Sequence, residues 1–329
     1  MCSPKRQKAH MNSFHLPDCD ETWAVVLAAG EGRRLRGLTT TAAGETIPKQ
    51  FCSINRRECL LELALERATA VAKSEQICTI VASQHRRWWQ QPLKRMASRN
   101  IFVQPANRGT AIGTALSLLH IERINPNATV VLLPSDHSVR DEEILAKSLR
   151  YAARSAAMRP ATVYLLGAEP DCADTELGYI VPAPGDQSDG ADVQEFVEKP
   201  DDRLAQKLIS NGALWNMFIV AGRVETLLNL LDKAFNFVSV MRSAMQGSGA
   251  GAVGTMARLY SELPFVDFSR DLLTHYPGCL KVQSVPPCGW KDLGTPQQVI
   301  ATVEDALRRS GLGQRETPLY LDLASVAGA

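Results

Sequence analysis

Basic side chains and glycines follow the first strongly apolar segment of the chain. That segment, "WAVVLAAG", has the nearly continuous apolar character of a strand buried on both faces, and it ends in Gly30. Gly30 and Gly32 can adopt backbone angles closed to other residues and can turn backbone N–H groups toward an anion. Arg34 and Lys49 lie within the same stretch, "VVLAAGEGRRLRGLTTTAAGETIPKQF", and add positive charge. This combination favours a phosphate-binding loop, and the alternative is a solvated arginine-rich connection.

The loop matches neither of two familiar nucleotide-binding fingerprints. In the dinucleotide pattern GxGxxG, the third glycine is replaced here by Leu35. The loop does not fit the pattern GxxxxGK[ST] either. A dinucleotide-dependent dehydrogenase is therefore a weak interpretation.

Two further segments place polar side chains where an α/β protein binds ligands. The apolar run "VVLLPSDH" (130–137) ends in Asp136 and His137, and ligands of open α/β sheets bind at the carboxyl ends of strands. Asp136 therefore lies where a metal ion is useful, whereas a single histidine such as His137 is more often structural. In "QPANRGTAIGTAL" (104–116), Arg108 and Thr110 stand at a predicted helix start, where backbone donors can meet a polar group. An ordinary capped helix is the alternative there.

Segments of strand type alternate with helical patterns through the first half of the chain. Such alternation predicts βαβ units and an α/β fold, with a mostly parallel mixed sheet flanked by helices. A hairpin is predicted within 178–200, and "LKVQSVP" is a later strand. Helices are predicted near 59–73, 110–121, 142–156, 201–211, 222–232 and 296–309, with an irregular stretch through "MQGSGAGAVG". We expect a disordered tail at 1–21, one domain at 22–305 and a second tail at 306–329.

Composition and charge exclude several classes of protein. Hydrophobic residues make up 45% and charged residues 22% of the 329 residues, and the net charge of +1 gives no overall attraction for nucleic acid or an anionic membrane. No apolar run reaches the about 20 residues that a transmembrane helix needs, and the polar amino terminus lacks a signal-peptide segment. The eight cysteines are scattered without a CxxC pair, which suits a reducing cytoplasm.

Several motifs, in this order along the chain, resemble those of the sugar-nucleotide pyrophosphorylases. They are "LAAGEGRRL…IPKQF", "QPANRGTA", "PSDH", "TELGYI", "FVEKP", "LWNMFIV" and "WKDLGTP". Within that family of nucleotidyltransferases, the chain is most similar to the mannose-1-phosphate guanylyltransferases. The resemblance implies a Rossmann-like, glycosyltransferase-A-like core.

The resemblance also implies a role for each matching residue. Arg34 and Lys49 are expected to bind the triphosphate and Lys199 the sugar phosphate, and these three form the expected catalytic set. Asp136 and Asp292 are expected to hold Mg²⁺, which prefers oxygen ligands. The nucleotide-binding residues implied are Leu27, Ala28, Ala29, Gly30, Gly32, Arg108, Gly109, Thr110 and Asp136. The sugar-binding residues implied are Gly178, Tyr179, Glu198, Lys199 and Asn216.

The reaction implied is attack of a sugar-1-phosphate on the α-phosphate of a nucleoside triphosphate, with release of pyrophosphate. "PKQF", "NRGTA" and "PSDH" together favour GTP and mannose-1-phosphate as substrates of a cytoplasmic enzyme. Two alternatives stay open: a uridylyl- or thymidylyltransferase acting on glucose-1-phosphate, and a non-catalytic regulatory homologue that binds nucleotide-sugar. Nucleic acid and membrane are not expected as partners, and a homodimer is left open.

Overall fold

The computed structural model describes residues 21–41, 43–55, 57–246 and 258–309. The tail predicted at 1–21 lies outside these residues except for Glu21. Most of the "MQGSGAGAVG" stretch and of the tail predicted at 306–329 also lies outside them. Residues 306–309 are described, and they continue the last helix of the chain.

Nine strands of the described residues form one mixed sheet in the order β3-β2-β1-β4-β8-β5-β9-β7-β6. Strand β6 also pairs with β8. The strands are β1 (Thr22–Ala28), β2 (Ile77–Ala82), β3 (Ile101–Gln104), β4 (Thr129–Pro134), β5 (Val163–Ala168), β6 (Gly178–Pro182), β7 (Ala191–Glu198), β8 (Leu214–Arg223) and β9 (Leu280–Val285).

Helices cover the sheet and connect its strands. They are α1 (Arg36–Thr39), α2 (Leu60–Ala68), α3 (Arg86–Trp89), α4 (Thr110–Ile124), α5 (Glu142–Met158), α6 (Asp202–Ser210), α7 (Val224–Phe235), α8 (Val238–Gln246) and α9 (Pro296–Arg309). Short 3₁₀ turns lie at Arg33–Leu35, Lys49–Phe51, Ser74–Gln76, Ser83–His85, Ser98–Asn100 and Pro277–Cys279, and a π-helical turn at Ser269–Leu273. In the described residues, none of the helices combines the length and apolar character needed to span a bilayer.

The amino-terminal half of the sheet is parallel, as the sequence predicts. Strands β3, β2, β1 and β4 all run in one direction, so their carboxyl ends meet at one edge. Val25 belongs to the apolar cluster on one face of the sheet, and Ala24 and Val26 belong to the cluster on the other. Because both faces are covered, β1 is apolar at nearly every position. In the carboxyl-terminal half, β5 and β9 are parallel, and the other pairings are antiparallel.

Strand β8 is the element that the sequence does not predict. Its residues fall between two predicted helices, yet they form the longest strand described, antiparallel to both β4 and β5. The pairing with β5 jumps from Leu166↔Ile219 to Gly167↔Asn216, which leaves a bulge at the intervening residues. Phe218 takes a positive φ of 54° within this bulge. Such bulges redirect side chains next to functional sites, and this one turns Asn216 toward the carboxyl edge of the parallel strands. Helix α8 likewise occupies a region predicted as irregular.

The amino terminus of α4 is joined tightly to residues 265–268. Val266 N donates to Arg108 O at 3.0 Å, and Ala111 N donates to Val266 O at 3.2 Å. Phe268 N donates to the hydroxyl of Thr110 at 2.8 Å. Between these contacts, Gly109 has a φ of 85°, and a Cβ atom there would lie 2.1 Å from Val266 O. Only glycine fits this approach of two backbones.

We therefore expect Gly109→Ala to lower the free energy of unfolding by about 2–4 kcal/mol, because it combines a strained backbone angle with a steric clash. Urea denaturation followed by circular dichroism measures the loss. Gly278→Ala is the matched control, since a Cβ at Gly278 meets nothing within 4 Å and the position has no positive φ. Equal unfolding midpoints for the two variants would contradict this account of the α4 terminus.

Candidate active site

A cleft of about 340 Å³ lies at the carboxyl ends of the parallel strands. It is lined from one side by the loop after β1 and the start of α4, and from the other by β6, β7 and β8. Of the residues singled out from the sequence, those lining the cleft are Leu27, Ala29, Gly30, Arg34, Gly109, Thr110, Asp136, His137, Gly178, Glu198, Lys199, Asn216 and Asp292. Residues from the parallel half and from the mixed half of the sheet therefore meet in one cleft.

The loop after β1 is fixed by a buried glutamine. Gln50 Nε2 donates to Ala28 O at 2.9 Å and to Gly30 O at 2.8 Å. These bonds hold the turn from which Gly30 faces the cleft. The side chain of Ala28 packs instead into the core beneath the sheet. Gly32, which has a φ of 59°, lies against the backbone of Lys49, where a Cβ would come within 3.0 Å of Lys49 N. Ala28 and Gly32 thus shape the loop rather than line the cleft.

Lys49 lies beneath the cleft rather than on its wall. Lys49 is only 6% exposed. Its ammonium group donates to the backbone oxygen of Asp292 and lies 3.2 Å from Asp136 Oδ2. A buried ammonium requires such partners, because removing a charge from water is costly. Lys49 therefore ties the end of β4 to the segment that carries Asp292.

His137 lies between the two aspartates. Its Nε2 is 3.1 Å from Asp292 Oδ1 and 3.7 Å from Asp136 Oδ1. Trp290 Nε1 donates to His137 Nδ1 at 3.1 Å. Because the indole nitrogen can only donate, Nδ1 accepts and a proton on Nε2 points at Asp292. His137 thus positions this carboxylate, a role consistent with the structural interpretation of a single histidine.

Asp292 is stabilised as a carboxylate. Burial alone would raise its pKa, but the hydrogen bond from His137 and the positive charges of Lys49 and Arg34 outweigh burial and hold the pKa well below its usual range. Asp292 is therefore ionised throughout the neutral range.

The two aspartates offer oxygen ligands of the kind that a hard divalent cation takes. One oxygen of each carboxylate makes only long ion-pair contacts within the described residues. Asp136 Oδ1 lies 3.7 Å from His137 Nε2, and Asp292 Oδ2 lies 3.9 Å from Arg34 Nη2. Among the same residues, no group of three or more His, Cys, Asp or Glu side chains could hold a metal by itself. A cation at this position would thus take further ligands from substrate oxygens and water, as Mg²⁺ commonly does.

The opposite end of the cleft is built around Glu198. A Cβ on Gly178 would lie 2.7 Å from Glu198 Oε2, so a glycine at this position makes room for the carboxylate. Burial, and then the charge of Asp267, raise the pKa of Glu198 to about 7. The next residue, Lys199, has a positive φ of 49°, a strained angle of the kind that clusters at functional sites. Asn216 donates to Ser269 Oγ at 3.3 Å beside them.

Tyr179 does not line the cleft, which corrects the sugar-binding role expected for it. Its side chain is fully buried on the other face of β6, because neighbouring residues of a strand point to opposite faces and Gly178 already faces the cleft. The hydroxyl accepts from Asp174 N at 2.9 Å and donates to Asp174 O at 3.1 Å. Tyr179 therefore anchors the segment between β5 and β6.

Arg108 is also turned away from the cleft. Its guanidinium donates to the backbone oxygens of Tyr260 at 2.6 Å and Ser261 at 3.0 Å. The neighbouring Gly109 and Thr110 do line the cleft. The segment therefore lies at the site as predicted, but the Arg108 guanidinium binds residues 258–262 instead of facing the cleft.

Several cleft residues were not singled out from the sequence, among them Glu176, Gln104 and Phe265. Glu176 accepts from Arg34 Nη1 at 2.6 Å and lies 3.4 Å from Lys199 Nζ. Gln104 lines the cleft and is only 2% exposed. Its side-chain amide packs directly against Gly113, where a Cβ atom would lie 2.1 Å from the amide nitrogen. Phe265 lines the rim with its ring largely exposed. Gln104 opens the quoted motif "QPANRGTA" and Glu176 lies within "TELGYI", so both could have been found, whereas no local pattern signals Phe265.

A cleft lined by basic and acidic side chains at the carboxyl edge of a parallel half-sheet is typical of α/β proteins that bind ligands there. The chain matches the family model described as "Nucleotidyl transferase" over residues 23–309. It therefore belongs to the nucleotidyl transferase family.

Sequence comparison finds relatives named for mannose-1-phosphate guanylyl transfer or for xanthan biosynthesis. The chain is 31% identical over 216 residues to a mannose-1-phosphate guanylyltransferase of Salmonella montevideo, a match covering 63% of this chain and 44% of the relative. It is 30% identical over 212 residues to the xanthan biosynthesis protein XanB of Xanthomonas campestris pv. campestris, covering 64% and 44%. The chain thus matches less than half the length of these two relatives.

Solved structures share the fold. One, described as a mannose-1-phosphate geranyltransferase from Thermus thermophilus, superposes with a TM-score of 0.70 at 24% identity, covering 83% of this chain and 76% of the other. A UDP-glucose pyrophosphorylase bound to UDP-glucose superposes with a TM-score of 0.56 at 13% identity, covering 88% and 99%. These likenesses confirm the expected nucleotidyltransferase-type α/β architecture.

The raised pKa of Glu198 predicts a pH-dependent stability difference. Between the ordinary glutamate pKa of 4.5 and about 7, the unfolded chain loses this proton while the folded chain keeps it, so stability falls as pH rises through that window. We expect Glu198→Gln to raise the melting temperature relative to the parent at pH 8, and the difference to vanish near pH 4. Scanning calorimetry across this range checks it. Glu195→Gln, an exposed change on the same strand, should show no such trend; parallel curves for both variants would refute the assignment.

Proposed function

We propose that this chain is a sugar-1-phosphate nucleotidyltransferase with one catalytic domain over about residues 22–305. The favoured reaction converts GTP and mannose-1-phosphate to GDP-mannose and pyrophosphate. The observation that carries the proposal is the meeting of Arg34, Lys199 and the pair Asp136 and Asp292 in one cleft. Arg34 and Lys199 could each bind the phosphate group of one substrate, and the two carboxylates could bind a metal ion between those phosphates.

The chemistry requires little covalent assistance from the protein. A sugar-1-phosphate carries most of its second negative charge near neutral pH, since the second pKa of a phosphate monoester is about 6. No general base is therefore needed, and no covalent enzyme intermediate is expected. The obstacles are repulsion between two polyanions and the charge that develops at the α-phosphorus. Positioning and electrostatic stabilisation answer both.

Each part of the cleft would contribute to that stabilisation. The turn at Gly30 and the guanidinium of Arg34 would bind the phosphates that leave as pyrophosphate. Lys199 would orient the sugar phosphate for in-line attack. Mg²⁺ held by Asp136 and Asp292 would supply charge neutralisation at the phosphate oxygens. Lys49 would act through those aspartates, since its contacts are with them rather than with the cleft.

The two ends of the cleft support the assignment of base and sugar. The buried carboxamide of Gln104 offers a donor and an acceptor together, which match O6 and N1–H of guanine. Glu198 and Asn216 provide acceptors and donors for sugar hydroxyls at the other end. The names of the relatives favour guanine and mannose. A carboxamide also matches O4 and N3–H of uracil, so a uridylyl donor is the competing outcome.

Pyrophosphate release tests the proposal directly. Purified protein with Mg²⁺ would be assayed with each of ATP, GTP, CTP, UTP and dTTP against mannose-1-phosphate and glucose-1-phosphate. We expect a signal confined to GTP with mannose-1-phosphate. Activity with another pair would keep the reaction class and correct the substrates. Silence across the grid, with nucleotide-sugar still bound, would favour the regulatory homologue.

Removing one of the two carboxylates tests the metal assignment. We expect Asp136→Asn to lower kcat by about a hundredfold or more, as the loss of a preorganised electrostatic contact does. The variant should also lose the increase in melting temperature that Mg²⁺ with GTP gives the parent. Asp192→Asn, a change at a largely exposed carboxylate paired with Lys281, is the control and should match the parent. Near-normal turnover in folded Asp136→Asn would contradict the assignment.

We also propose that the protein is located in the cytoplasm. The cysteines in the described residues are free thiols, and most are buried, which fits a reducing compartment. A homodimer stays a prediction.

A further inference from the structure

One carboxylate oxygen joins the two halves of the cleft. Glu176 Oε2 accepts from Arg34 Nη1 at 2.6 Å and lies 3.4 Å from Lys199 Nζ. Arg34 belongs to the loop after β1, and Lys199 follows the end of β7. In the proposed reaction these cations serve different substrates: Arg34 serves the nucleoside triphosphate and Lys199 the sugar phosphate. In the structure, the Glu176 carboxylate thus occupies the anion position next to both cations.

The backbone beneath Glu176 is held in place. Glu176 N donates to Asp174 Oδ1 at 2.8 Å, and Gln298 Nε2 of α9 donates to Asp174 Oδ2 at 3.0 Å. The hydroxyl of Tyr179 binds the backbone of Asp174 on the other side. Only the side chain of Glu176 is left free to leave, and at 42% exposure it has a path to solvent.

Substrate phosphates cannot share the cations with Glu176 in its present position. A carboxylate a few ångströms from a phosphate dianion repels it, and because Glu176, Arg34 and Lys199 are about half exposed, solvent screening keeps this repulsion modest. The Glu176 side chain must therefore swing out when a phosphate binds to either cation. The free-energy cost of breaking the bridge falls on whichever substrate binds first. The second substrate finds its cation already released.

We propose that Glu176 couples the binding of the two substrates, so that each raises the affinity of the cleft for the other. This inference rests on the proposed function, because it needs two phosphate-bearing ligands in one cleft. By linkage, the coupling factor is the same whichever ligand is added first. Direct repulsion between the two anionic ligands opposes the coupling, but that repulsion is present with or without Glu176. The difference between the parent and a variant without this charge therefore isolates the bridge.

Isothermal titration calorimetry measures the coupling. Mannose-1-phosphate is titrated, with Mg²⁺ present, into the parent protein alone and into protein saturated with a GTP analogue whose α,β-bridge is methylene. The ratio of the two Kd values is the coupling factor. Glu176→Gln keeps the size of the side chain and removes its charge. Glu176→Ala is the second variant, and Glu143→Gln, at an exposed position outside the cleft, controls for the change in net charge.

We expect both Glu176 variants to bind each ligand alone about 1.5- to fivefold more tightly, the range given by exposed ion pairs. Their coupling factor should fall by a similar factor, whereas Glu143→Gln should match the parent in both measurements. Equal coupling factors in the parent and the Glu176 variants would overturn the inference while leaving the proposed function intact. Weaker binding of each ligand to both variants would overturn it as well, because Glu176 would then order the cations rather than compete for them. If neither ligand binds any of the proteins, the proposed function fails, and this inference fails with it.

Discussion

The buried ammonium group of Lys49 is the interaction on which the rest of the site depends. A charge removed from water is tolerated only with close partners, and here the partners are the carboxylate of Asp136 and the backbone oxygen of Asp292. These contacts hold the segment after β4 against the segment that precedes α9. The adjacent Gln50 fixes the loop after β1 through Ala28 O and Gly30 O. One short turn, Lys49–Phe51, thus sets the position of the phosphate loop relative to both aspartates.

A second layer of contacts makes this arrangement rigid. Ser138 and Lys291 exchange backbone hydrogen bonds of 3.0 and 2.9 Å, next to the chain that runs from Trp290 through His137 to Asp292. The imidazole therefore spans the gap between two strand ends instead of filling space in the core. Because these backbone hydrogen bonds fix the chain on both sides, the two carboxylates are held close to the same imidazole.

The sequence predicts the parts of this site that local pattern controls. Apolar runs identify β1, β2 and β4, and glycines mark the loop after β1. What it misses depends on tertiary structure. The segment of β8 is largely apolar and lies between two helices, so only its pairing with β4 and β5 makes it a strand. Tyr179 adjoins a cleft residue, yet strand alternation turns it into the core. Glu176 and Arg34 are 142 residues apart, and neither of the motifs that contain them indicates that the two side chains lie in contact.

The charge pattern of the cleft argues for catalysis rather than simple binding of an anion. A protein that only binds phosphates gains nothing from two carboxylates beside them, because those carboxylates repel the ligand. Here Asp136 and Asp292 lie within 3.7 and 3.1 Å of the same imidazole nitrogen, and Asp292 is held ionised by its neighbours. Lys49, His137 and Arg34 offset part of this repulsion, and in the proposed mechanism a divalent cation bound with the phosphates would offset the rest. The cations and carboxylates are thus arranged as the proposed metal–phosphate complex requires, and Glu176 contacts both Arg34 and Lys199.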